Sequence, residues 1–194
     1  MSANPVQKSY SAEEYLALER SSLEGKCEFV NGQLFAMVGA GREHNLIAVN
    51  IASELRQQLK GRACEAYAND MRVKAAEAKA YHYPDITVVC GKPEFEDRQL
   101  DSLLNPIALV EILSPSTEAY DRGGKFAAYR KIASLREYLL VSQDKPLIER
   151  YVRLGAAWVL TETSELEGMV NLDAIGCGLA MGEVYYNVFN IQRS

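Results

Sequence analysis

Three residues in the middle of this chain have side chains that could carry out hydrolytic chemistry. Asp85 follows Pro84 at the start of an apolar run, Glu111 stands alone inside a second apolar run (residues 107–113), and Lys125 comes 14 positions after Glu111 (125 − 111). A carboxylate inside a buried strand is costly unless a charged or hydrogen-bonding partner replaces the lost water. Two such carboxylates indicate a shared cation, and the nearby lysine indicates that this cation serves catalysis.

The cation expected at such a pair is Mg²⁺, or Mn²⁺ in its place. Mg²⁺ takes oxygen ligands, commonly one or two carboxylates completed by water and substrate phosphate. Because side chains alternate along a strand, Asp85 is expected on the same strand face as Thr87, and Glu111 on the same strand face as Leu109. If the two strands are neighbours with these faces aligned, the carboxylates converge, and the backbone carbonyl of Ile112 could provide another ligand.

Each of these residues also has an ordinary structural interpretation. Asp85 could simply begin a strand, Glu111 could belong to a salt bridge, and Lys125 could be a surface lysine in the first turn of a helix. Asp121, four residues before Lys125, is expected to be the N-cap of that helix.

The elements that must position these side chains can be predicted from turn and periodicity signals. Ser11 with Glu14 has the form of a capping box and predicts a short N-terminal helix, and Asn31-Gly32 predicts the turn of a β-hairpin over 27–38. Apolar residues at helical spacing predict a long helix over 43–59. Strands are predicted at 64–68, 71–75, 82–90, 107–113, 137–142 and 147–153. Intermixed helices and strands favour an α/β fold with a mixed sheet.

Composition limits the class of protein. The 194 residues, 48% hydrophobic and 24% charged, are expected to form a single domain over 1–194. No apolar run is long enough to span a bilayer and residues 1–5 lack a secretory profile, so a cytoplasmic protein without membrane contact is expected. The net charge of −5 argues against a nonspecific nucleic-acid binder, but it is compatible with an enzyme that has a local basic cleft.

The cysteines do not indicate a metal site. Four cysteines are scattered without a Cys-x-x-Cys pair, and the chain has only two histidines, so a zinc site is not expected. Cys90 is expected to be a small buried thiol in a reducing compartment.

Short motifs follow one another along nearly the whole chain. They are Ser11–Leu16, Cys27–Gly32, His44-Asn45, Tyr83-Pro84-Asp85, Val110–Thr117, Asp121–Lys125, Tyr129 and Arg136–Tyr138. In this order they resemble the PD-(D/E)XK, or restriction-endonuclease-like, nucleases, and more specifically the Uma-type putative restriction endonuclease family. Each motif alone is weak, but the ordered set is specific.

The resemblance implies a fold, an activity and a partner. The implied fold is a restriction-endonuclease-like core, a mixed central β-sheet flanked by helices, with an N-terminal helix and a β-hairpin. The implied activity is hydrolysis of DNA phosphodiester bonds, in which Asp85 and Glu111 bind Mg²⁺ and Lys125 positions the attacking water. A homodimer is expected because duplex cleavage needs two cuts and most oligomers are symmetric.

Three further residues are expected near the pocket, each with an open alternative. Glu28 could point from the hairpin into the cleft or be an exposed hairpin residue. His44 could contact a phosphate or a metal-bound water, or it could be a capping or solvated histidine. Tyr129, one helical turn after Lys125, could border the site.

The chain departs from the superfamily pattern at one position. A lysine would stand two residues after the glutamate, but that position holds Leu113. Lys125 is the expected substitute, and Lys74 is a rival source, which would face away from Asp85 if Ala76 lies opposite Ala80. The missing lysine and the acidic composition also support an alternative function, a catalytically inactive nuclease-fold module for binding or regulation.

Overall fold

The computed structural model describes residues 8–23 and 25–189. Residues 1–5, on which the expectation of no secretory signal depends, lie outside these ranges. The helices are α1 (Ala12–Ser21), α2 (Arg42–Gln58), α3 (Glu118–Tyr120), α4 (Phe126–Tyr129) and α5 (Met181–Val184). The strands are β1 (Cys27–Val30), β2 (Gln33–Ala36), β3 (Cys64–Ala68), β4 (Arg72–Ala75), β5 (Ala80–His82), β6 (Ile86–Cys90), β7 (Ser102–Leu103), β8 (Ala108–Leu113), β9 (Glu137–Ser142), β10 (Ile148–Leu154), β11 (Ala157–Thr163), β12 (Met169–Leu172) and β13 (Cys177–Ala180).

Two sheets make up most of the fold. The six-stranded sheet has the order β11-β10-β9-β8-β6-β3, in which β8 and β9 are parallel and the other neighbouring pairs are antiparallel. The five-stranded sheet has the order β2-β1-β5-β4-β7, and β12 pairs with β13 in a separate ribbon. The mixed six-stranded sheet with its packed helices confirms the predicted α/β fold. None of the described helices has the length and apolar character needed to span a bilayer.

The two N-terminal elements follow the local signals in the sequence. Ser11 and Glu14 form the capping box at the start of α1, each side chain bonded to the other's backbone N–H. Asn31 and Gly32 both have positive φ angles, 48° and 87°, between β1 and β2. Such angles at both central residues define the tight turn that Asn-Gly favours.

Strand β8 shows how both faces of the six-stranded sheet are covered. Val110 and Ile112 belong to the apolar cluster that includes the buried face of α2, whereas Leu109 and Leu113 belong to the cluster that includes α4. Successive side chains alternate along a strand, so Glu111 faces α4. Every residue of β8 is buried, which explains its nearly continuous apolar run.

The predicted strand over 82–90 is wrong as a single element. β5 belongs to the five-stranded sheet and β6 to the six-stranded sheet, and the chain crosses between them at Tyr83-Pro84-Asp85. Pro84 has no N–H to donate to a strand ladder, which breaks the run at this point. The crossing places Asp85 immediately before β6, at the junction of the two sheets.

The helical segment that carries Lys125 begins earlier than expected. The N–H groups of Thr117 and Glu118 both donate to the carbonyl of Ser114, and the segment continues from α3 through a π turn, Asp121–Lys125, into α4. Asp121 is therefore not the N-cap, since its backbone is helical and its side chain is buried. Isolated π turns are rare and occur often at functional sites.

The π turn contains two glycines in very different surroundings. A Cβ added at Gly124 would overlap the ring of Tyr120, whereas one added at Gly123 would meet nothing within 4 Å. We expect Gly124→Ala to lower the free energy of unfolding by about 1–3 kcal/mol, the usual cost of overpacking. Gly123→Ala should leave it unchanged or raise it by up to about 1 kcal/mol. Urea denaturation of both variants measures the difference, and equal stabilities would contradict the overlap.

Two of the four cysteines are joined to each other. Cys64 of β3 and Cys90 of β6 lie opposite each other in the strand register and form a disulfide. The expectation that Cys90 is a free buried thiol is therefore wrong, because it depended on sequence spacing and not on strand pairing. Cys27 and Cys177 are free thiols.

Candidate active site

A cleft of about 750 Å³ opens beside the crossing between the two sheets. It is lined by most of the residues that the sequence singled out, namely Glu28, His44, Asp85, Glu111, Ile112 and Lys125. Tyr129 is fully buried and reaches this group through its contact with Glu111.

Asp85 and Glu111 lie side by side because β6 and β8 are neighbours. The two strands are antiparallel with Ile86 opposite Val110, so one further step along the register brings Asp85 opposite Glu111. The backbone N–H of Ile112 donates a hydrogen bond of 2.7 Å to Oδ2 of Asp85. The main chain of β8 therefore holds one carboxylate beside the strand that carries the other.

The ammonium group of Lys125 lies among three carboxylates. Its Nζ is 3.0 Å from Oε1 of Glu28, 3.2 Å from Oδ1 of Asp121 and 3.3 Å from both carboxylate oxygens of Glu111. These three acids come from β1, the π turn and β8 respectively, so the lysine contacts both sheets. We call these four residues the carboxylate–lysine cluster.

Neighbouring groups fix the carboxylates of this cluster. The hydroxyl of Tyr129 donates a hydrogen bond of 2.8 Å to Oε1 of Glu111. The backbone N–H of Tyr83 donates to Oε1 of Glu28 at 3.2 Å, and Nδ1 of the fully buried His82 lies 3.2 Å from Oε2. Glu28 is therefore a buried and anchored group and not an exposed hairpin residue.

Burial and mutual charge set the pKa values in the cluster. Burial opposes the charged form of Lys125, but the charges of Glu111, Glu28 and Asp121 together outweigh it and hold the lysine pKa well above its usual value. Lys125 is therefore charged at neutral pH in the metal-free site, a state suited to stabilising negative charge or orienting a water.

The carboxylates respond unequally to the same surroundings. Burial opposes ionisation of Glu28, but contacts with His82 and Lys125 outweigh it and lower the Glu28 pKa to about 2. Burial raises the pKa of Glu111 and of Asp121, since one ammonium group cannot compensate several carboxylates that are removed from water.

His44 is a second polar partner of Asp85. It lies in the first turn of α2, where Gly41 provides no side-chain cap. Its Nε2 is 3.3 Å from Oδ1 of Asp85, and its side chain is 13% exposed. His44 therefore faces the cleft and is not a solvated surface residue.

Lys74, the rival lysine, lies outside this cleft. The pairing of β4 with β5 is shifted by one residue from the expected register, and Lys74 lies opposite Tyr81. Lys74 donates to Oε1 of Glu96, and the Tyr81 hydroxyl donates to the same oxygen at 2.8 Å. The structure thus brings Lys125 to Glu111, while Lys74 belongs to a similar trio of lysine, tyrosine and glutamate elsewhere.

From the sequence, Asp121 is assigned to the helix N-cap, and His82 is not considered at all. Asp121 carries a usable signal, because a residue four positions before Lys125 on a helix lies on the same face. His82 carries none, because its partner Glu28 is 54 positions away and the pairing of β1 with β5 cannot be read from either strand alone.

The cleft is acidic, and it is not the local basic cleft with which the overall net charge is compatible. Of the described residues that line it, five are acidic and two, Lys26 and Lys125, are basic. Lys26 is ion-paired with Asp70, and Lys125 is surrounded by carboxylates. A surplus of negative charge favours the approach of a cation and opposes that of a polyanion.

The oxygen atoms that face the cleft would suit Mg²⁺ or Mn²⁺ better than zinc. The carboxylates of Asp85 and Glu111 retain lone pairs beyond their present hydrogen bonds, and Mg²⁺ needs only one or two carboxylates with water and phosphate. Over residues 8–23 and 25–189, no group of three or more His, Cys, Asp or Glu side chains is arranged to hold a metal. A site closed entirely by side chains, as for structural zinc, therefore does not fit.

Comparison with known families and relatives gives consistent matches. The model of the Uma2 family, described as "Putative restriction endonuclease", matches residues 12–182. Two uncharacterized proteins of Synechocystis sp. (strain ATCC 27184 / PCC 6803 / Kazusa) are similar to the chain. Protein sll1609 is 36% identical over 156 residues, which cover 80% of this chain and 88% of the relative. Protein slr1290 is 34% identical over 175 residues, which cover 90% of each.

A solved structure shares the fold. The crystal structure described as a putative nuclease belonging to DUF820 from Anabaena variabilis ATCC 29413 aligns with a TM-score of 0.76, covering 91% of this chain and 97% of that one. The two sequences are 17% identical, so the likeness concerns the fold alone. It supports the restriction-endonuclease-like arrangement of the mixed sheet and its helices.

Proposed function

This chain belongs to the Uma2 family of putative restriction endonucleases, and from that premise we propose that it is a metal-dependent endonuclease that hydrolyses DNA phosphodiester bonds. The observation that carries the proposal is the convergence of Asp85, Glu111 and Lys125 in one open cleft. An ordinary buried salt bridge needs one acid for one base, whereas this site gathers several acids around a single lysine. The arrangement suits a divalent cation and a phosphate that arrive together.

Each residue has a separate role in this proposal. Asp85 and Glu111 would hold Mg²⁺ with the carbonyl of Ile112, and a bound Mg²⁺ would supply polarisation of the phosphodiester and activation of water. Lys125, already charged, would orient the attacking water and stabilise negative charge that develops on phosphate oxygens. Tyr129 would keep the Glu111 carboxylate in position through its hydrogen bond.

The direct test is cleavage of defined DNA substrates. Purified protein would be incubated with supercoiled plasmid, linear duplex and single-stranded DNA in Mg²⁺, in Mn²⁺ and in a chelator. We expect cleavage in the metal-containing reactions alone, since in this proposal the metal ion supplies the activation of water. Cleavage that persists undiminished in the chelator would remove the metal from the mechanism.

Metal binding provides a prediction that does not depend on turnover. We expect calorimetric titration with Mn²⁺ to show binding that Asp85→Asn weakens at least about tenfold, because the variant lacks one anionic ligand. Asp97→Asn serves as the control, since Asp97 is paired with Arg20 outside the cleft. Equal affinities for the wild type and both variants would place the metal elsewhere.

A second function, that of a catalytically inactive binding or regulatory module, has two observations in its favour. Leu113 occupies the position of the superfamily lysine, and Lys125 is neutralised by three neighbouring acids. Metal binding at Asp85 without cleavage of any nucleic acid would favour this module. Cleavage that depends on Glu111 would exclude it.

A further inference from the structure

One wall of the cleft is apolar and open to solvent. It consists of Phe35 at the end of β2 and of Met37 and Val38, which follow it, and these three side chains are 45%, 41% and 74% exposed. β2 is one of the two edge strands of the five-stranded sheet. Exposed apolar side chains that line a cleft beside charged groups are characteristic of a ligand-binding surface.

Phe35 also stacks on a second aromatic residue that lines the cleft, Tyr120. The rings of Phe35 and Tyr120 are nearly parallel, with an angle of 27° between their planes and 6.4 Å between their centroids. Phe35 is 45% exposed, so its ring offers an aromatic surface on which a flat ring could stack beside Tyr120. The adjacent Gly39 would accept even an added Cβ without contact, so this entrance is not crowded.

The charges in the cleft do not suit a long phosphate backbone. Proteins that track such a backbone do so with several lysines and arginines. Here no arginine is among the described lining residues, and the two lysines are held by acids. A nucleobase is neutral and flat, so it gains from the apolar wall without meeting the electrostatic penalty of the acids.

We propose that this cleft takes an unpaired nucleotide, whose base stacks on Phe35 and Tyr120 while its phosphate reaches the divalent cation that Asp85 and Glu111 would hold. The inference rests on the proposed nuclease function and names its substrate class, a nucleic acid with a nucleotide outside a stacked duplex. A single strand presents such a nucleotide directly, and a duplex does so at a bulge or by extrusion of a base. A single-stranded substrate needs one cut, so the argument from two cuts for a homodimer does not apply to it.

The test is equilibrium binding of fluorescent DNA, followed by anisotropy in Ca²⁺. The probes are a 12-nucleotide single strand, the same sequence as a perfect duplex, a duplex with one unpaired nucleotide, and single strands with one abasic position. We expect the single strand and the bulged duplex to bind at least about tenfold more tightly than the perfect duplex. One abasic position should cost about tenfold, as base–aromatic stacking does. Raising salt from 50 to 200 mM should cost less than about tenfold, because few phosphates are neutralised.

Phe35→Ala and Phe189→Ala form a matched pair of variants. Phe189 is also exposed, at 42%, and also stacks on a tyrosine, Tyr185, at 5.5 Å, but it lies outside the cleft. We expect Phe35→Ala to weaken single-strand binding about tenfold. The abasic position that weakens binding to the wild type should then have no further effect on the affinity of this variant. Phe189→Ala should change neither, and Phe35→Trp should retain tight binding.

The outcomes separate this inference from the proposed function. Equal or tighter binding of the perfect duplex, no effect of any abasic position, or equal behaviour of Phe35→Ala and Phe189→Ala would overturn the inference. Glu111-dependent cleavage of duplex DNA alongside those results would leave the nuclease function standing. Base-dependent binding that requires Phe35, without any cleavage, would uphold the inference and overturn the nuclease function.

Discussion

Glu111→Gln is expected to lower DNA cleavage by at least about a thousandfold in Mg²⁺ or Mn²⁺. The amide keeps the shape of the side chain but lacks the negative charge that a divalent cation requires, and loss of several kcal/mol of charge stabilisation corresponds to this factor in rate. Single-turnover cleavage of labelled DNA measures the effect. Circular dichroism and thermal unfolding establish that the variant retains its fold.

The matched control for this variant is Glu96→Gln. Glu96 also accepts hydrogen bonds from a lysine and a tyrosine, Lys74 and Tyr81, but it lies outside the cleft. We expect the Glu96→Gln variant to cleave DNA at the wild-type rate. More than about a tenth of the wild-type rate in Glu111→Gln, or an equal loss in both variants, would contradict the assignment of Glu111 as a metal ligand.

Lys125→Met is expected to lower cleavage by about 10²–10³-fold and to destabilise the fold. The loss of rate is that of removing one preorganised group that stabilises developing negative charge. The loss of stability arises because three buried carboxylates lose their shared counter-charge, and removing one partner of a buried ion pair costs about 3–5 kcal/mol. Lys74→Met, measured in parallel, should reduce neither the cleavage rate nor the stability to this extent.

The destabilisation by Lys125→Met should depend on pH, measured by urea denaturation in a chelator. The Glu28 pKa is lowered to about 2, so its contribution to stability is present above its ordinary value near 4.5 and is lost as pH falls towards 2. Glu111 has a raised pKa, so any stability it provides is present below its ordinary value and is lost as pH rises through the raised one. The lysine stabilises both carboxylates most when they are ionised. The loss of unfolding free energy in Lys125→Met should therefore be larger at pH 8 than at pH 4. An equal deficit at both values would show that packing, and not charge, accounts for the effect.

The sequence predicted the parts of the site that depend on local rules. The apolar run around Glu111 identified a buried strand that carries a charge, and alternation of side chains indicated which of its faces that charge occupies. The capping box and the Asn31-Gly32 turn were confirmed because both depend on residues within three positions of one another. The metal and catalytic roles of Asp85, Glu111 and Lys125 stay predictions.

The features that the sequence did not predict depend on contacts between distant residues. Pro84 is a local signal for a break in the predicted strand over 82–90. The sheet that each half joins is decided by its pairing partners, and the apolar run itself does not specify them. The same is true of the Glu28–His82 contact and of the Cys64–Cys90 disulfide, both of which join different strands. The acidic character of the cleft also emerged only when five acids from separate segments were brought together.

The position of Lys125 has a mechanical consequence. Its ammonium group bridges Glu28 in one sheet and Glu111 in the other through contacts of 3.0 and 3.3 Å. If the sheets part by about 1 Å, at least one of these contacts exceeds hydrogen-bonding distance. In the proposed nuclease, a substrate strand that moved the sheets apart would release the lysine from one internal acid and leave its charge available to the phosphate. While the sheets stay in contact, internal acids compensate this charge, and it is not available to other anions.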